Sequence, residues 1–217
     1  MRGEHARPEE LPAAWRSDPL RCKPAMPLDV PFFLPSMVLN RATVSLFNRF
    51  IYARQGRKRT AFTPYDRFFY PLDAIGHWNR IYGRRGMVQY QFVLPLAAAR
   101  EGLPRILKRI VRSGRGSFLA VLKLFGPQED LLSFPMEGYT LALDFPLKSG
   151  LLELLKELDR MVLDHGGRHY LAKDAVMSAE VFRRGYPRVE AFTALVQKYN
   201  PEGRLSSLQS RRLELTP

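Results

Sequence analysis

The chain has 217 residues, of which 46% are hydrophobic and 25% are charged. This balance predicts a folded core and excludes an intrinsically disordered chain. Lysine and arginine number 34 against 21 acidic residues, which gives a formal net charge of +13. So basic a chain favours anionic partners, and nucleic acid, an acidic membrane surface and a phosphorylated ligand all remain open.

The number of cysteines, the spacing of histidines and the length of the apolar runs exclude several kinds of site and segment. Cys22 is the sole cysteine, so one chain contains neither a disulfide framework nor a cysteine-based zinc site. His165 and His169 flank a Gly-Gly turn without a suggestive third ligand, and we predict no metal site. No apolar run reaches the ~20 residues of a membrane helix, and the first residues lack a signal-peptide core. We expect a cytoplasmic protein, with peripheral contact at the inner face of the membrane left open.

Residues 1–86 are predicted to form an extended or linking segment, because prolines recur through its first 40 residues and break regular structure. A short helix is predicted over 42–52. The basic loop 54–59 (RQGRKR) fits both a solvated loop and a contact to phosphate or a lipid headgroup. The apolar stretch Pro31–Pro35 predicts contact with a partner domain or a membrane interface.

A regular succession of elements begins at residue 87. In order they are strand, helix, strand, strand, helix and strand, over 87–94, 104–113, 117–125, 139–145, 150–165 and 168–172. Pro104 is placed in the first turn of its helix and Gly114 at the end. This order is that of the split βαβ, ferredoxin-like fold, in which an antiparallel sheet carries both helices on one face.

We therefore predict an α+β fold. A ferredoxin-like βαββαβ domain with helices on one face spans 87–177, after the extended N-terminal segment. A helical C-terminal tail is predicted over 178–217. In that tail, Pro187 opens a helix that runs to about Tyr199, and the final RRLEL is apolar enough to dock.

The second face of the sheet, which the helices leave free and exposed, is the predicted binding surface. Gln89 and Gln91 are two residues apart on a strand, so their side chains point the same way. Lys123 interrupts an apolar strand, which favours either a polar cavity or a lysine that reaches water at the strand end. Lys173 follows the last strand, and we expect these four side chains to meet on the second face.

Common catalytic signatures are absent from the sequence: there is no GxSxG, Walker loop, HExxH or GxGxxG after a strand. The basic patches also lack the interleaved aromatic residues of an RNA-binding sheet. Charge alone supports nucleic acid, which we rank last among the partner classes.

An ordered series of motifs runs from about residue 30 to the C-terminus. It comprises Phe69–Asp73 (FYPLD), Trp78–Gly83 (WNRIYG), Val88–Val93 (VQYQFV), Leu122–Pro127 (LKLFGP), Leu132–Pro135 (LSFP), Asp144–Pro146 (DFP), Ala172–Asp174 (AKD), Tyr186–Val189 (YPRV) and Arg211–Leu215 (RRLEL). Together, in this order and spacing, the motifs resemble the C-terminal half of the decaprenylphosphoryl-β-D-ribose 2′-oxidase family. These enzymes are FAD-linked oxidases of the vanillyl-alcohol-oxidase type, related to D-arabinono-1,4-lactone oxidase.

The resemblance implies a flavin enzyme that oxidises a sugar hydroxyl, with hydride passing to FAD. The family's substrate is a polyprenyl-phosphate ribose, a precursor of cell-wall arabinan. On this resemblance Lys173 is catalytic, because a cation beside the reacting hydroxyl stabilises developing negative charge. Gln91 and Lys173 would contact the cofactor. The resemblance also implies that 87–177 is the substrate-binding cap domain and that 178–217 would pack on a flavin domain. The implied substrate contacts are Gln89, Gln91, Lys123, Tyr170, Phe69 and Arg80.

Two departures from the family's pattern bear on this implication. Thr140 and Ala142 stand where the mycobacterial enzymes carry asparagine and cysteine, which leaves the exact substrate open. No stretch resembles the flavin domain, so we expect the chain to hold FAD only together with a flavin-binding domain or subunit. The alternative is a non-catalytic module that binds polyprenyl phosphate or an anionic membrane surface.

Overall fold

A computed structural model of the protein describes residues 4–20, 28–35, 37–54, 61–115 and 119–216. The strands are β1 (Leu28–Asp29), β2 (Ile75–Gly76), β3 (Met87–Pro95), β4 (Ala120–Phe125), β5 (Gly138–Pro146) and β6 (Arg168–His169). The α-helices are α1 (Ala13–Arg16), α2 (Arg41–Arg54), α3 (Tyr65–Phe69), α4 (Leu96–Arg112), α5 (Leu151–Asp164), α6 (Ala179–Gly185), α7 (Val189–Tyr199) and α8 (Leu208–Arg212). Short 3-10 turns cover Pro8–Glu10, Pro71–Ala74, Trp78–Tyr82 and Leu171–Lys173.

The centre of the described chain is a sheet with the strand order β4-β5-β3-β6, in which every neighbouring pair is antiparallel. Met87 pairs with Pro146 and Pro95 with Gly138, so β3 and β5 match along their whole length. Helices α4 and α5 connect the strands as β3-α4-β4-β5-α5-β6. This confirms the predicted α+β class and the ferredoxin-like order of elements. A separate parallel pair, β1 with β2, ties the N-terminal segment to residues 75–76.

The main core lies between this sheet and the helices α4 and α5. Phe92 and Leu94 reach it from β3, whereas Leu155, Leu158 and Val162 reach it from α5, and none of the five has exposed surface. Their spacing of three and four residues puts the α5 side chains on one helical face. Burying each such side chain contributes about 2 kcal/mol to folding. Both helices therefore cover the same face of the sheet, as predicted.

Helix α4 begins at Leu96, whereas the sequence predicted a start at residue 104. Pro104 lies inside the helix instead of in its first turn. The run after Leu96 is rich in alanine, which has the highest helix propensity, and the buried Ala99 packs in the main core. These gains offset the backbone hydrogen bond that Pro104 removes. A Cβ at Gly102 would lie 2.7 Å from Leu94 Cδ1, so a glycine lets the helix approach the sheet.

Strand β6 ends at His169 and not at residue 172 as predicted. The N–H of Tyr170 still donates to the Gln91 carbonyl at 2.9 Å, and the chain then turns. The Lys173 N–H donates to the Tyr170 carbonyl at 2.9 Å within that turn. Asp174 Oδ1 accepts hydrogen bonds from the N–H groups of Val176 and Met177. These bonds stabilise a turn here in place of a longer strand.

The remaining predicted elements are found close to their expected positions. Helix 42–52 is α2, and helix 150–165 is α5, which lies between Gly150 and Gly166 in left-handed conformations. Residues 117 and 118 of the predicted third element, and residues 55–59 of the basic loop, lie outside the described residues.

The C-terminal tail packs on the sheet domain through a second core. Its buried residues are Met177, Phe182, Tyr186, Val189 and Leu213. Leu213 is only 2% exposed, so the final RRLEL segment docks within this chain, and packing of the tail on a flavin domain stays a prediction. Pro187 lies in the short connection between α6 and α7.

The second face of the sheet is not left bare, contrary to the expectation of a fully exposed surface. The β4–β5 connection, residues 126–137, reaches the opposite edge, where the Ser133 carbonyl accepts from Arg168 Nη1 at 2.7 Å. Because β4 and β6 are the two edge strands, this connection crosses one end of the second face. Val93 and Thr140 on that face are consequently buried.

Replacing Leu158 with alanine is expected to lower the free energy of unfolding by about 3 kcal/mol, because it leaves a cavity in the main core. Leu152→Ala on the same helix is the matched control, since Leu152 is 41% exposed. We expect the control to cost less than about 1 kcal/mol. Urea unfolding of both variants measures the difference, and equal losses would contradict the described packing of α5.

Candidate functional site

Polar side chains from neighbouring strands meet on the second face. Gln89 Nε2 donates to Asp144 Oδ1 at 3.1 Å. Gln91 Nε2 donates to Thr140 Oγ1 at 3.0 Å, and that hydroxyl donates to the Phe92 carbonyl at 2.8 Å. The register explains these contacts, since Gln89 pairs directly with Asp144, whereas Thr140 is the diagonal neighbour of Gln91, two residues from its direct partner Ala142.

Asp144 is the electrostatic centre of this face. It is 3% exposed, and burial raises its pKa, while the hydrogen bond from Gln89 and the positive charge of Lys173 act to lower it. Burial and the charge of Asp144 also raise the pKa of Tyr82. We call Gln89, Asp144, Lys173 and Tyr82 the polar cluster, and Gln91 lies beside it on the same strand as Gln89.

Lys173 enters the polar cluster from the 3-10 turn after β6 and is half-buried. The positive charge of Lys173 acts on the buried Asp144 carboxylate, and charge interactions in a site of reduced dielectric are stronger than in water. Such a cation can stabilise negative charge that develops on a ligand oxygen. The arrangement therefore suits a reaction in which a hydroxyl oxygen acquires negative charge.

An aromatic wall borders the polar cluster at the covered end of the face. Phe134 stacks on Tyr170 with ring centroids 4.6 Å apart, and it meets Phe125 edge-on at 5.9 Å. Tyr170 is half-buried, and its backbone pairs with Gln91. These rings can exclude water from one side of a bound ligand.

Lys123 is exposed on the edge strand β4, opposite Thr140, so it lies at the rim of the same face. Gln89, Gln91 and Lys123 thus lie on the second face with Lys173 beside it, but the described contacts do not bring Lys123 together with the other three. Phe69 and Arg80 are placed differently.

The described contacts of Phe69 and Arg80 join them to the N-terminal part of the chain. Phe69 is 61% exposed, and its ring contacts are with Phe68 and Tyr70. Arg80 Nη1 donates to the carbonyls of Val30 and Pro31 at 2.9 and 3.0 Å. Arg80 thus fastens the N-terminal segment, and the proposed contacts of both residues with substrate stay predictions.

Asp144, Tyr82 and Thr140 are site residues that sequence reasoning did not assign. Asp144 is a lone carboxylate in an apolar strand, and it follows Thr140 and Ala142 at intervals of two residues. This spacing could have identified Asp144, because side chains two residues apart on a strand point to the same face. Tyr82 gave no comparable signal, since it lies in an irregular segment before β3.

A second polar group, the buried triad, lies on the opposite face under α5. Tyr90 Oη donates to Asp159 Oδ1 at 2.9 Å and lies 2.9 Å from His169 Nε2, which is 3.2 Å from the same carboxylate oxygen. Burial raises the pKa of Asp159 to about 6 and lowers that of His169 to about 4. A neutral His169 that carries its proton on Nε2 can donate to the Tyr90 oxygen, which satisfies all three groups.

Clusters of three or more potential metal ligands do not occur among the described residues. In the same ranges no helix is long and apolar enough to cross a membrane.

The ferredoxin-like sheet defines an α+β domain with a candidate binding face, and sequence comparison relates it to an oxidase. Over 215 residues, 99% of this chain, it is 40% identical to the decaprenylphosphoryl-beta-D-ribose oxidase of Mycolicibacterium smegmatis, of which the match covers 46%. It is also 30% identical over 99% of its length to an uncharacterized protein in the mprA 5′ region of Streptomyces coelicolor, covering 60% of that protein. No protein-family model matches the chain.

The chain therefore spans about half the length of the curated relatives it matches. The resemblance that the motif series indicated is confirmed, and the extent of the match is consistent with the C-terminal half of the oxidase.

Asp159→Asn is expected to make stability depend on pH between about 4 and 6.5. The unfolded chain protonates His169 in this window and the folded chain does not. Stability should therefore fall as the pH falls, by up to about 1.4 kcal/mol per pH unit. In the unaltered protein the raised pKa of Asp159 has the opposite effect, because the folded state binds that proton more tightly, and the two slopes largely cancel.

Urea unfolding between pH 4.5 and 7 measures this slope. Asp164→Asn, at the exposed end of the same helix, is the matched control and should behave like the unaltered protein. A flat profile for Asp159→Asn would show that burial of His169 does not disfavour its protonation.

Proposed function

We propose that this chain is the substrate-binding, C-terminal part of an FAD-dependent oxidoreductase that oxidises a sugar hydroxyl. It would act with a flavin-binding domain, either in the same polypeptide or in a separate subunit. The observation that carries the proposal is the polar cluster on the second face, where Gln89 donates to the buried Asp144 carboxylate and the charge of Lys173 acts on the same group. The 40% identity to an oxidase along the whole chain supports the same conclusion.

The groups on the second face fit the flavin ring, whose edge carries hydrogen-bond donors and acceptors. Gln91 presents a side-chain amide there, and Lys173 presents an ammonium group. Both come from rigid elements, because Gln91 is only 9% exposed in the central strand and Lys173 lies in a hydrogen-bonded turn. FAD, when bound, would supply the hydride acceptor.

This chain's own residues would bind and polarise the sugar. Lys173 holds a positive charge beside the reacting hydroxyl, and Asp144 balances that charge when the site is empty. Gln89, fixed by its bond to Asp144, offers an amide to other hydroxyls. The wall formed by Tyr170 and Phe134 keeps water from one side, which strengthens these interactions.

The substrate class we propose is a polyprenyl-phosphate ribose oxidised at its 2′ position as part of an epimerisation, or else an aldonolactone. The name of the Mycolicibacterium smegmatis relative specifies a decaprenylphosphoryl ribose. Lys123, exposed at the rim of the second face, is suitably placed for a phosphate outside the sugar pocket. Such a substrate would place the protein in cell-wall arabinan synthesis, at the cytoplasmic face of the membrane.

A second candidate is a non-catalytic module that binds polyprenyl phosphate or an anionic membrane surface. It is favoured by the exposed apolar side chains of the described residues between 28 and 70. The large side chains exposed there are Leu28, Phe32, Phe33, Met37, Leu46, Phe47, Phe50, Ile51, Tyr52, Phe62, Tyr65, Phe69 and Tyr70. Large apolar patches mark interaction surfaces, and the net charge of +13 would favour anionic lipid. A covering flavin domain would account for the same surface without lipid.

The first test is the absorbance spectrum of the chain purified alone and after co-expression with the flavin-binding domain encoded with it. A flavin band is expected only in the assembly, together with oxidase activity on a polyprenyl-phosphate ribose. Lys173→Met should lower that activity by about 100-fold or more while the flavin band remains, because the cation that stabilises developing charge is lost.

Lys108→Met is the matched control, since Lys108 is exposed on the outer side of α4 and should not affect activity. An assembly that contains flavin but oxidises neither sugar class would overturn the proposed reaction. Equal activity of the Lys173→Met assembly and the unaltered one would remove Lys173 from the catalytic role.

The second candidate predicts flotation of the isolated chain with vesicles containing anionic lipid. Binding should weaken steeply as salt is raised, because it depends on counterion release and surface potential. Phe32→Ser combined with Phe33→Ser should reduce it further, since both rings are exposed. An absence of flotation at low salt would exclude this candidate.

A further inference from the structure

The turn that carries Lys173, residues 170–174 and here called the Lys173 turn, begins from a buried anchor. His169 precedes it and is 3% exposed. Its ring belongs to the buried triad, and its backbone carbonyl accepts a hydrogen bond from the Tyr186 hydroxyl. The chain therefore enters the turn from a fixed position on the sheet.

Asp174 forms the second anchor, at the end of the turn. Its side chain is 4% exposed, and Oδ1 accepts from the N–H groups of Val176 and Met177 at 3.0 and 2.8 Å. The other oxygen, Oδ2, faces the C-terminal helix α8. Asp174 is thus the point at which the Lys173 turn is joined to the tail.

Helix α8 holds the turn through two side chains three residues apart, which share one helical face. Arg212 Nη2 donates to Asp174 Oδ2 at 2.7 Å, and its Nη1 donates to the Met177 carbonyl. Gln209 Nε2 donates to the Leu171 carbonyl at 2.6 Å and lies 3.3 Å from Asp174 Oδ2. Gln209 therefore bonds to residues on both sides of Lys173, and Arg212 bonds to Asp174 and Met177, which follow it.

Helix α8 is itself well fixed. Ser207 caps its first turn by accepting from the Ser210 N–H at 3.0 Å. Leu213, directly after the helix, is buried in the second core. The side chains of α8 that bond to the Lys173 turn are therefore held in fixed positions.

We propose that Arg212 and Gln209 are positioning residues that set where the Lys173 ammonium lies on the second face. This inference rests on the proposed function of Lys173. Neither residue belongs to the polar cluster, so both act through the backbone of the turn. A lysine side chain is long and flexible, and its useful geometry depends on where the backbone holds its Cα. Misplacement by about 1 Å can cost about 100-fold in rate.

Hydrogen exchange of the full chain tests the structural half of the proposal. Arg212→Met and Gln209→Ala should each accelerate exchange of the Lys173 amide, which donates to Tyr170, by about tenfold or more. Amides of α5 should be unaffected, because they lie in the main core. Arg211→Met is the matched control, as its side chain is exposed on the same helix.

Kinetics of the assembly with the flavin domain test the catalytic half. Arg212→Met should lower kcat by about 10-fold or more with little change in KM, because substrate contacts remain while the cation is displaced. Arg212→Lys should recover part of the loss, since it keeps one charged bond to Asp174. Arg211→Met should match the unaltered assembly.

The outcomes separate this proposal from the proposed function. An active assembly in which Arg212→Met and Gln209→Ala leave both Lys173 exchange and kcat unchanged would overturn the positioning role alone. Faster exchange without any loss of kcat would overturn it as well. An unaltered assembly that binds flavin but has no oxidase activity would overturn the proposed function and the positioning role together.

Discussion

The alternation of side chains along the central strand β3 is the constraint on which the rest of the structure depends. Even-numbered residues such as Phe92 and Leu94 enter the core beneath α4 and α5, and odd-numbered residues such as Gln89 and Gln91 form the second face. A shift of one residue in its pairing would move every side chain to the wrong face. The core therefore fixes the register, and the register in turn fixes the polar cluster.

Two buried carboxylates, one on each side of the sheet, show how the fold accommodates charge. Burial raises the pKa of both Asp144 and Asp159, and each accepts hydrogen bonds from neighbouring side chains. A buried ionised group without such partners would cost several kcal/mol. His169 links the two sides, because its ring lies in the buried triad while the next residue begins the Lys173 turn.

The C-terminal tail packs against the sheet domain, whereas the N-terminal segment leaves many apolar side chains exposed. The tail is fastened through Leu213, Arg212 and Gln209 to the sheet domain, so it belongs to the same folded unit as the candidate site. Residues 28–70 instead expose many large apolar side chains. Because the chain spans about half of its curated relatives, a further domain that covers this surface is consistent with the proposed function.

The sequence by itself determined the α+β class, the order of strands and helices, and the shared direction of Gln89 and Gln91. These depend on the spacing of apolar residues and on the positions of glycine and proline, which are local properties of a chain. The sequence also placed Lys173 just after the last strand. Only the tertiary structure decided that Pro104 lies within a helix and that β6 ends at His169, since packing against the sheet and bonds from distant residues overrode local preference. The charge effect of Lys173 on Asp144 and the hydrogen bond from Arg212 to Asp174 likewise involve residues far apart in sequence, and only the fold brings their charges together.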